Sequence, residues 1–406
     1  LLERATAAEQ RFLAAVLLGE VRHGALEGVV GDAVARAAGV PGEVLQRALM
    51  VGGRLDEVAA AAVAGGTARL RRFRVRLFRP IRPMLAQSAP DPATALERTG
   101  PGAVEHKYDG ARIQVHLRGR KVAVYTRNLR EVGGRMPEVA EAVRSCGVRS
   151  LIVDGEAIVL GEDGRPRPFQ ETAGRFGTAS APGAALTPVF FDLLYLDGSD
   201  RTGLPASERR RLLEEVLPPE LVVPRRAPAD AAGAHDVLVA ALDAGHEGIV
   251  AKSLVAPYAA GRRGAGWVKV KPVHTLDLVV LAAEWGHGRR RGWLSNLHLG
   301  ARDPSTGGFV MLGKTFKGLT DEMLRWQTER FLDLEERRTR AAVHVRPEQV
   351  VEVAFDGVQT SSRYPGGVAL RFARVRGYRD DKGPDEADTI DTVRAIHRGE
   401  IRPAIG

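Results

Sequence analysis

Residues Glu105-His106-Lys107-Tyr108-Asp109-Gly110-Ala111-Arg112 read EHKYDGAR and run directly into Ile113-Gln114-Val115-His116-Leu117. The apolar–polar alternation from Ile113 to Leu117 predicts a β-strand, and Pro101-Gly102 upstream predicts a turn. Lys107 therefore stands at or near a strand end, with arginines and carboxylates a few residues away. A lysine amine becomes a nucleophile when neighbouring cations or loss of water lower its pKa. Taken alone, the string fits a salt-bridged surface lysine better than a reactive one. The rest of the chain shifts that balance.

The chain has 406 residues, room for two or three domains. It begins at Leu1 rather than a methionine, which suggests a missing N-terminal segment. No apolar run reaches the length of a membrane span, and no signal-peptide pattern opens the chain. A lone Cys146 excludes an internal disulfide framework and a four-cysteine zinc site, and it points to a reducing, intracellular setting. A formal net charge of +9 and a pI near 10.0 suit a polyanionic partner. Of 59 basic residues only eight are lysine: Lys107, Lys121, Lys252, Lys269, Lys271, Lys314, Lys317 and Lys382. Arginine stays protonated and cannot serve as an amine nucleophile, so the surviving lysines are candidates for sites where a guanidinium fails.

Residues 1–75 read as helical: Phe12, Leu13, Val16 and Leu17 form one stripe, Leu26, Val29, Val30 and Val34 another, broken by glycines and Pro41. The turn Arg22-His23-Gly24 opens the second helix and is a candidate phosphate contact. From Arg69 to Pro83, seven arginines alternate with Leu77, Phe78 and Ile81, which predicts an extended basic connector and a domain boundary. Residues 76–272 mix strands (Val122–Tyr125, Leu151–Val153, Val189–Leu196, Gly248–Val250) with helices (Pro137–Arg144, Ser207–Val216). Residues 273–406 carry strands at Leu276–Ala283, Leu294–Leu299, Phe309–Leu312 and Val350–Phe355 and a helix at Thr320–Glu335, the content of an OB-type barrel.

Six pieces read together: KYDGAR at Lys107; Tyr125-Thr126-Arg127-Asn128; Asp154-Gly155-Glu156; Phe191-Asp192; Glu247-Gly248-Ile249-Val250-Ala251-Lys252; and Trp267-Val268-Lys269-Val270-Lys271. In order, spacing and content they resemble the covalent nucleotidyltransferases, and specifically the ATP-dependent DNA ligases of the three-domain archaeal and actinobacterial type. Leu370-Arg371-Phe372-Ala373-Arg374 and Arg379-Asp380-Asp381-Lys382 resemble the basic motif that closes the family's OB domain, with a departure at Gly377. The resemblance implies a multi-domain chain. It would comprise a helical DNA-binding remnant (1–75), an α+β, ATP-grasp-like nucleotidyltransferase domain (76–272) and a C-terminal OB-fold β-barrel (273–406).

The family's roles carry over as what the resemblance implies. Lys107 is the nucleophile that takes up AMP from ATP. Glu105 lies at the adenine edge, and Phe191 stacks on the base. Arg112 and Glu156 contact ribose and phosphate, while Arg127 and Arg263 hold phosphates. Lys252, Lys269 and Lys271 surround the α-phosphate. Two residues apart in a strand, Lys269 and Lys271 would share one face. Glu247, with Glu156 as a second carboxylate, would hold Mg2+. Read alone, Phe191 is a core residue and the acids are surface ion pairs; the joint occurrence favours the site. The resemblance implies an enzyme that seals nicks in duplex DNA as a monomer. It would be cytoplasmic and nucleoid-associated, and the Arg/Ala/Gly bias points to a GC-rich bacterial genome. The alternatives are an RNA ligase or capping-type enzyme, or a non-catalytic DNA-binding scaffold.

Overall fold

The computed structural model describes residues 5–18, 27–52, 54–100, 102–177, 185–259, 264 and 266–403. The turn at Arg22-His23-Gly24, Pro101 and the predicted phosphate contact Arg263 lie outside them. The chain divides into two compact units: Leu1–Gln87, Leu96–His246 and Val250–Lys269 form the first, and Ser88–Ala95, Glu247–Ile249 and Val270–Gly406 the second.

The first unit is built on an antiparallel sheet in the order Lys121–Thr126, Ala111–Arg118, Ser150–Val159, Leu186–Leu196, Ser199–Asp200. Alternation sends Ile113, Val115, Leu117 and Val153 to one face, where they meet Met136, with Val139 and Val143 of the following helix Pro137–Arg144, and Leu213 of helix Ala206–Val216. In a second sheet, Trp267–Val270, Gly248–Ser253, Gly102–Lys107 and Arg225–Arg226 follow one another. KYDGAR bridges the two sheets. Its glycine is forced by proximity, because a Cβ at Gly110 would sit 2.5 Å from the Ala157 carbonyl and 2.8 Å from Glu156 Cγ. Any side chain there would push the strand carrying Glu156 away from the strand that follows Lys107.

Helices Glu27–Ala37, Gly42–Met50 and Leu55–Leu70 share a small core through Leu45, Leu49, Val58 and Leu70. They belong to the same compact unit as the sheets, and Arg47 reaches Asp200 at 2.6 Å. Buried Leu70 holds the last helical turn, so the extended connector begins at Arg71, two residues later than the arginine alternation predicts.

That connector is clasped by polar side chains from the sheet's other face. The Gln114 amide oxygen accepts from the Ile81 N–H at 2.7 Å, and its NH2 donates to the Ile81 carbonyl at 2.9 Å. His116 Nδ1 accepts from the Phe78 N–H at 2.9 Å, and Nε2 lies 2.9 Å from the same Gln114 oxygen. Since Nδ1 must accept, the imidazole is the neutral Nε2–H tautomer. Phe78 itself has φ 64°, a left-handed backbone held by this contact and by the Tyr125 hydroxyl on its carbonyl.

The second unit is a seven-stranded antiparallel sheet around the long strand His274–Trp285. Leu294–Arg302 and then Phe309–Thr315 lie on one side of it. On the other edge Val350–Phe355 and Ala342–Val345 pair with its two halves, and Arg374–Tyr378 extends the first of these. The Val375 N–H donates to the Lys317 carbonyl, joining the two ends of the path as a barrel does. Helix Asp321–Asp333, capped by Thr320, stands where the sequence predicts one helix. Helix Ile390–His397 and the hairpin Gly357–Thr360/Val368–Arg371 go beyond the predicted content.

Two predictions follow from these contacts. Burial pushes His116 down to about 3, so between pH 6.5 and 3 the unfolded chain binds a proton that the folded one refuses. Its stabilisation is complete above pH 6.5 and is lost as pH falls. Between pH 6 and 4.5 the urea-unfolding free energy of the native chain should fall faster than that of His116→Gln, by roughly 1.4 kcal/mol per pH unit; parallel slopes would refute the clasp. Gly110→Ala should destabilise the chain by about 1–3 kcal/mol through overpacking, read as a lowered urea midpoint.

Candidate active site

Lys107 closes the strand Gly102–Lys107, and its neighbours fix which way it faces. His106 and Tyr108 both lie against His246, with ring centroids 4.9 and 4.3 Å apart. Burial keeps all three rings uncharged. It lowers His106, assisted by Arg226; it takes His246 down to about 4, assisted by His106; and it raises Tyr108, assisted by Glu105. With 106 and 108 committed to that side, alternation directs Lys107 to the side carrying Glu105.

Glu105 is 2% exposed and accepts from three cations: Lys252 at 2.6 Å, Arg225 at 3.0 Å and Arg210 at 3.5 Å. A buried carboxylate persists only when paired in this way. The Lys252 ammonium also donates to the Phe191 carbonyl at 3.2 Å and lies 4.5 Å from the Phe191 ring and 4.6 Å from Trp267. Burial lowers its pKa, against the opposing charges of Glu105 and Asp192. Lys252 is thus engaged by the acid that the sequence assigns to the adenine edge.

The strand Leu186–Leu196 separates two phenylalanines by alternation: Phe190 is wholly buried, whereas Phe191 is half-buried and meets Trp267 edge to face at 5.6 Å. The ring packs at the margin of the core without being wholly enclosed. Arg112 stands 5.4 Å from both aromatic centroids, in cation–π range. Its fork is bidentate on Asp154, at 2.6 and 3.1 Å, and donates to the Met84 carbonyl at 2.7 Å. The Tyr258 hydroxyl donates to the same carboxylate at 2.6 Å and accepts from the Met84 N–H. Burial and the charge of Asp154 raise Tyr258 well above its ordinary pKa, so it remains a donor.

Glu156, half-buried on the face of Asp154, is the register partner of Arg112. Arg127 is exposed in the turn after Lys121–Thr126 and lines a crevice with Arg112 and Asp154. Lys269 is half-buried in Trp267–Val270. In the second unit, Lys271 lies just past that strand's end, ion-paired to Glu247 and, at 3.0 Å, to Asp356. Burial opposes its charge, but Glu247 and Asp356 outweigh it and raise the pKa.

The structure thus gathers Glu105, Arg112, Phe191 and Lys252 through direct contacts, adds Glu156 and Arg127 beside Arg112, and couples Lys271 to Glu247. Sequence reasoning missed the partners that hold these groups: Asp154, Trp267, Tyr258, Arg210 and Arg225. Asp154 stood in the quoted Asp154-Gly155-Glu156 and Trp267 beside Lys269. Tyr258, Arg210 and Arg225 carried no local signal.

The family models for the ATP dependent DNA ligase domain and the ATP dependent DNA ligase C terminal region match residues 83–271 and 290–382. A protein named "Probable DNA ligase" from a Nocardioides species is 60% identical over 395 residues, covering 97% of this chain and 77% of its own length. Another of that name from an Anaeromyxobacter species is 58% identical over 407 residues, covering 99% and 78%. The solved structure named Pmar-Lig_PreS3 has the same fold, with a TM-score of 0.58 at 19% identity over 78% of this chain and 71% of that one. With both family domains matched in order and relatives this similar along nearly its whole length, the chain belongs to the ATP-dependent DNA ligases.

Proposed function

We propose that Lys107 is the residue through which this ATP-dependent ligase carries AMP. The amine attacks the α-phosphate of ATP and forms a P–N bond as the bond to pyrophosphate breaks. The AMP then passes to the 5′-phosphate at a nick, where its P–N bond breaks, and attack by the 3′-hydroxyl expels AMP and leaves a phosphodiester. The observation that carries this reading is the anchoring of His106 and Tyr108 on His246. It supports a Lys107 directed to the side of Glu105, where Lys252, Phe191 and Trp267 gather.

The remaining roles follow from the chemistry of each group. Phe191 offers a π-face to adenine, with Trp267 bracing it edge-on. Glu156 and Arg112 are the ribose and phosphate contacts, Arg112 being held in place by Asp154. Lys269 and Lys271 are cations for the α-phosphate, and Arg127 and Arg263 hold the outer phosphates. The hard oxygens of Glu247, with Glu156 as second candidate, suit Mg2+, an ion that takes one or two carboxylates and fills its shell with water and substrate phosphates. Bound there, the ion would neutralise triphosphate charge. The partner is nicked duplex DNA, the working form is a monomer, and a formal charge of +9 favours the nucleoid of a bacterial cytoplasm. The family matches at 83–271 and 290–382 support a nucleotidyltransferase domain ending near 272 and an OB domain after it, with the helices to residue 75 as a third, DNA-binding part.

Incubation with α-labelled ATP and Mg2+ followed by denaturing electrophoresis should leave label on the native chain. Lys107→Ala and Lys107→Arg should both carry none, the second because a guanidinium retains the charge but does not attack phosphorus. Label on either variant would remove the assignment. Phe191→Ala should raise the ATP KM of the adenylation step about tenfold, as loss of a stack of roughly 1–3 kcal/mol per base predicts. An unchanged KM would return Phe191 to a packing role.

A further inference from the structure

Tyr258 lies in a stretch without regular secondary structure, yet its backbone, ring and hydroxyl are all fixed. Its N–H donates to the Thr202 carbonyl at 2.9 Å, and the Ala256 carbonyl two residues earlier accepts from buried Arg209 at 3.2 Å. Its ring, 2% exposed, packs with Met84, Ile152, Leu194 and Trp267. Its hydroxyl donates to the Asp154 carboxylate at 2.6 Å and accepts from the Met84 N–H at 3.0 Å. A phenylalanine would fill the same volume, so packing alone gives no reason for the oxygen.

That oxygen closes a circuit around Arg112. The Arg112 Nε and Nη2 groups donate to the two oxygens of Asp154 at 3.1 and 2.6 Å, and Nη1 donates to the Met84 carbonyl at 2.7 Å. Nη2 also donates to the Tyr258 oxygen at 3.4 Å, and Met84 returns to that oxygen through its N–H. A guanidinium has five N–H groups. These contacts leave a single one, on Nη1, without a partner among the described residues. Asp154 and Met84 thus fix the plane of the guanidinium, and with it the direction of the N–H left for a ligand.

We propose that Tyr258 is a positioning residue for nucleotide binding: its hydroxyl holds Asp154 and Met84 where they aim the free Nη1 N–H of Arg112 at ATP. The inference rests on the reading of Arg112 as a ribose and phosphate contact, and extends it to a residue that itself touches no nucleotide. Tyr258 acts through Arg112 and takes no part in the bond changes at Lys107. Removing its hydroxyl weakens the hold on ATP in the ground state and the transition state alike, which raises KM and leaves the maximal rate of adenylation in place.

The test measures the ATP KM and the maximal rate of adenylation for the native chain, Y258F, R112Q and Y258F/R112Q, with melting temperatures showing which chains are folded. Y258F should raise KM about tenfold, as loss of a hydrogen bond to a charged group predicts, with the maximal rate within about twofold of native. In the R112Q chain, whose KM is already raised, Y258F should add less than about twofold, because the group it serves is gone. D154N interrupts the same circuit from the acid, should behave like Y258F, and carries the test if Y258F does not fold. A native KM in folded Y258F overturns the inference. So does a full tenfold added to R112Q, which would make the hydroxyl a support of the pocket at large. A native KM in R112Q is the failure of the underlying reading: it removes the contact that Tyr258 serves, and it appears without any change at Tyr258.

Discussion

A buried carboxylate organises the surroundings of the strand that ends at Lys107. Glu105 is almost without solvent, and Lys252, Arg225 and Arg210 converge on it. The converse matters as much. Lys252 is itself buried between two aromatic rings, where an unpaired ammonium would be expelled or neutralised. The acid therefore lets a cation be stored beneath Phe191, and the strand that presents the acid presents Lys107 two residues on. One ion cluster thus stands beside the strand of Lys107, under the Phe191 ring and against Trp267.

Asp154 repeats the device on the neighbouring sheet. Its carboxylate occupies two arms of the Arg112 fork and receives the Tyr258 hydroxyl, so Arg112 is directed before any ligand arrives. Holding a guanidinium at two points removes rotamer freedom that would otherwise be lost on binding. Asp192 does the same for Arg209, 1% exposed, at 2.7 Å. In each case a buried acid holds a guanidinium at two points.

How much of this the sequence revealed depends on separation along the chain. Lys107, Arg112, Glu156, Phe191 and Lys252 were legible because each sits in a short run whose order and spacing are distinctive. Strand and helix positions were also legible where alternation was clean, as at Val350–Phe355 and Pro137–Arg144. The supporting partners were not. Arg210 and Arg225 lie more than a hundred residues from Glu105 and are two arginines among many, and Tyr258 reads as an unremarkable residue after a proline. Phe191 was legible as an aromatic but not as a half-buried one, since its strand is apolar on both sides; only the burial of Phe190 in the core separates the two.

The lysine census gains its meaning from the structure in the same way. Lys121 lies over the Phe78 ring and Lys317 over Phe372, while Lys314 and Lys382 are bound to Glu284 and Asp277. Four of the eight lysines thus serve ordinary contacts, and scarcity alone could not single out the others. What distinguishes Lys107, Lys252, Lys269 and Lys271 is that they lie in or beside the strands of one sheet, where backbone geometry rather than side-chain reach sets their spacing. Arginine, longer and always charged, is left to the connector, where a wide field is wanted and no amine chemistry is possible.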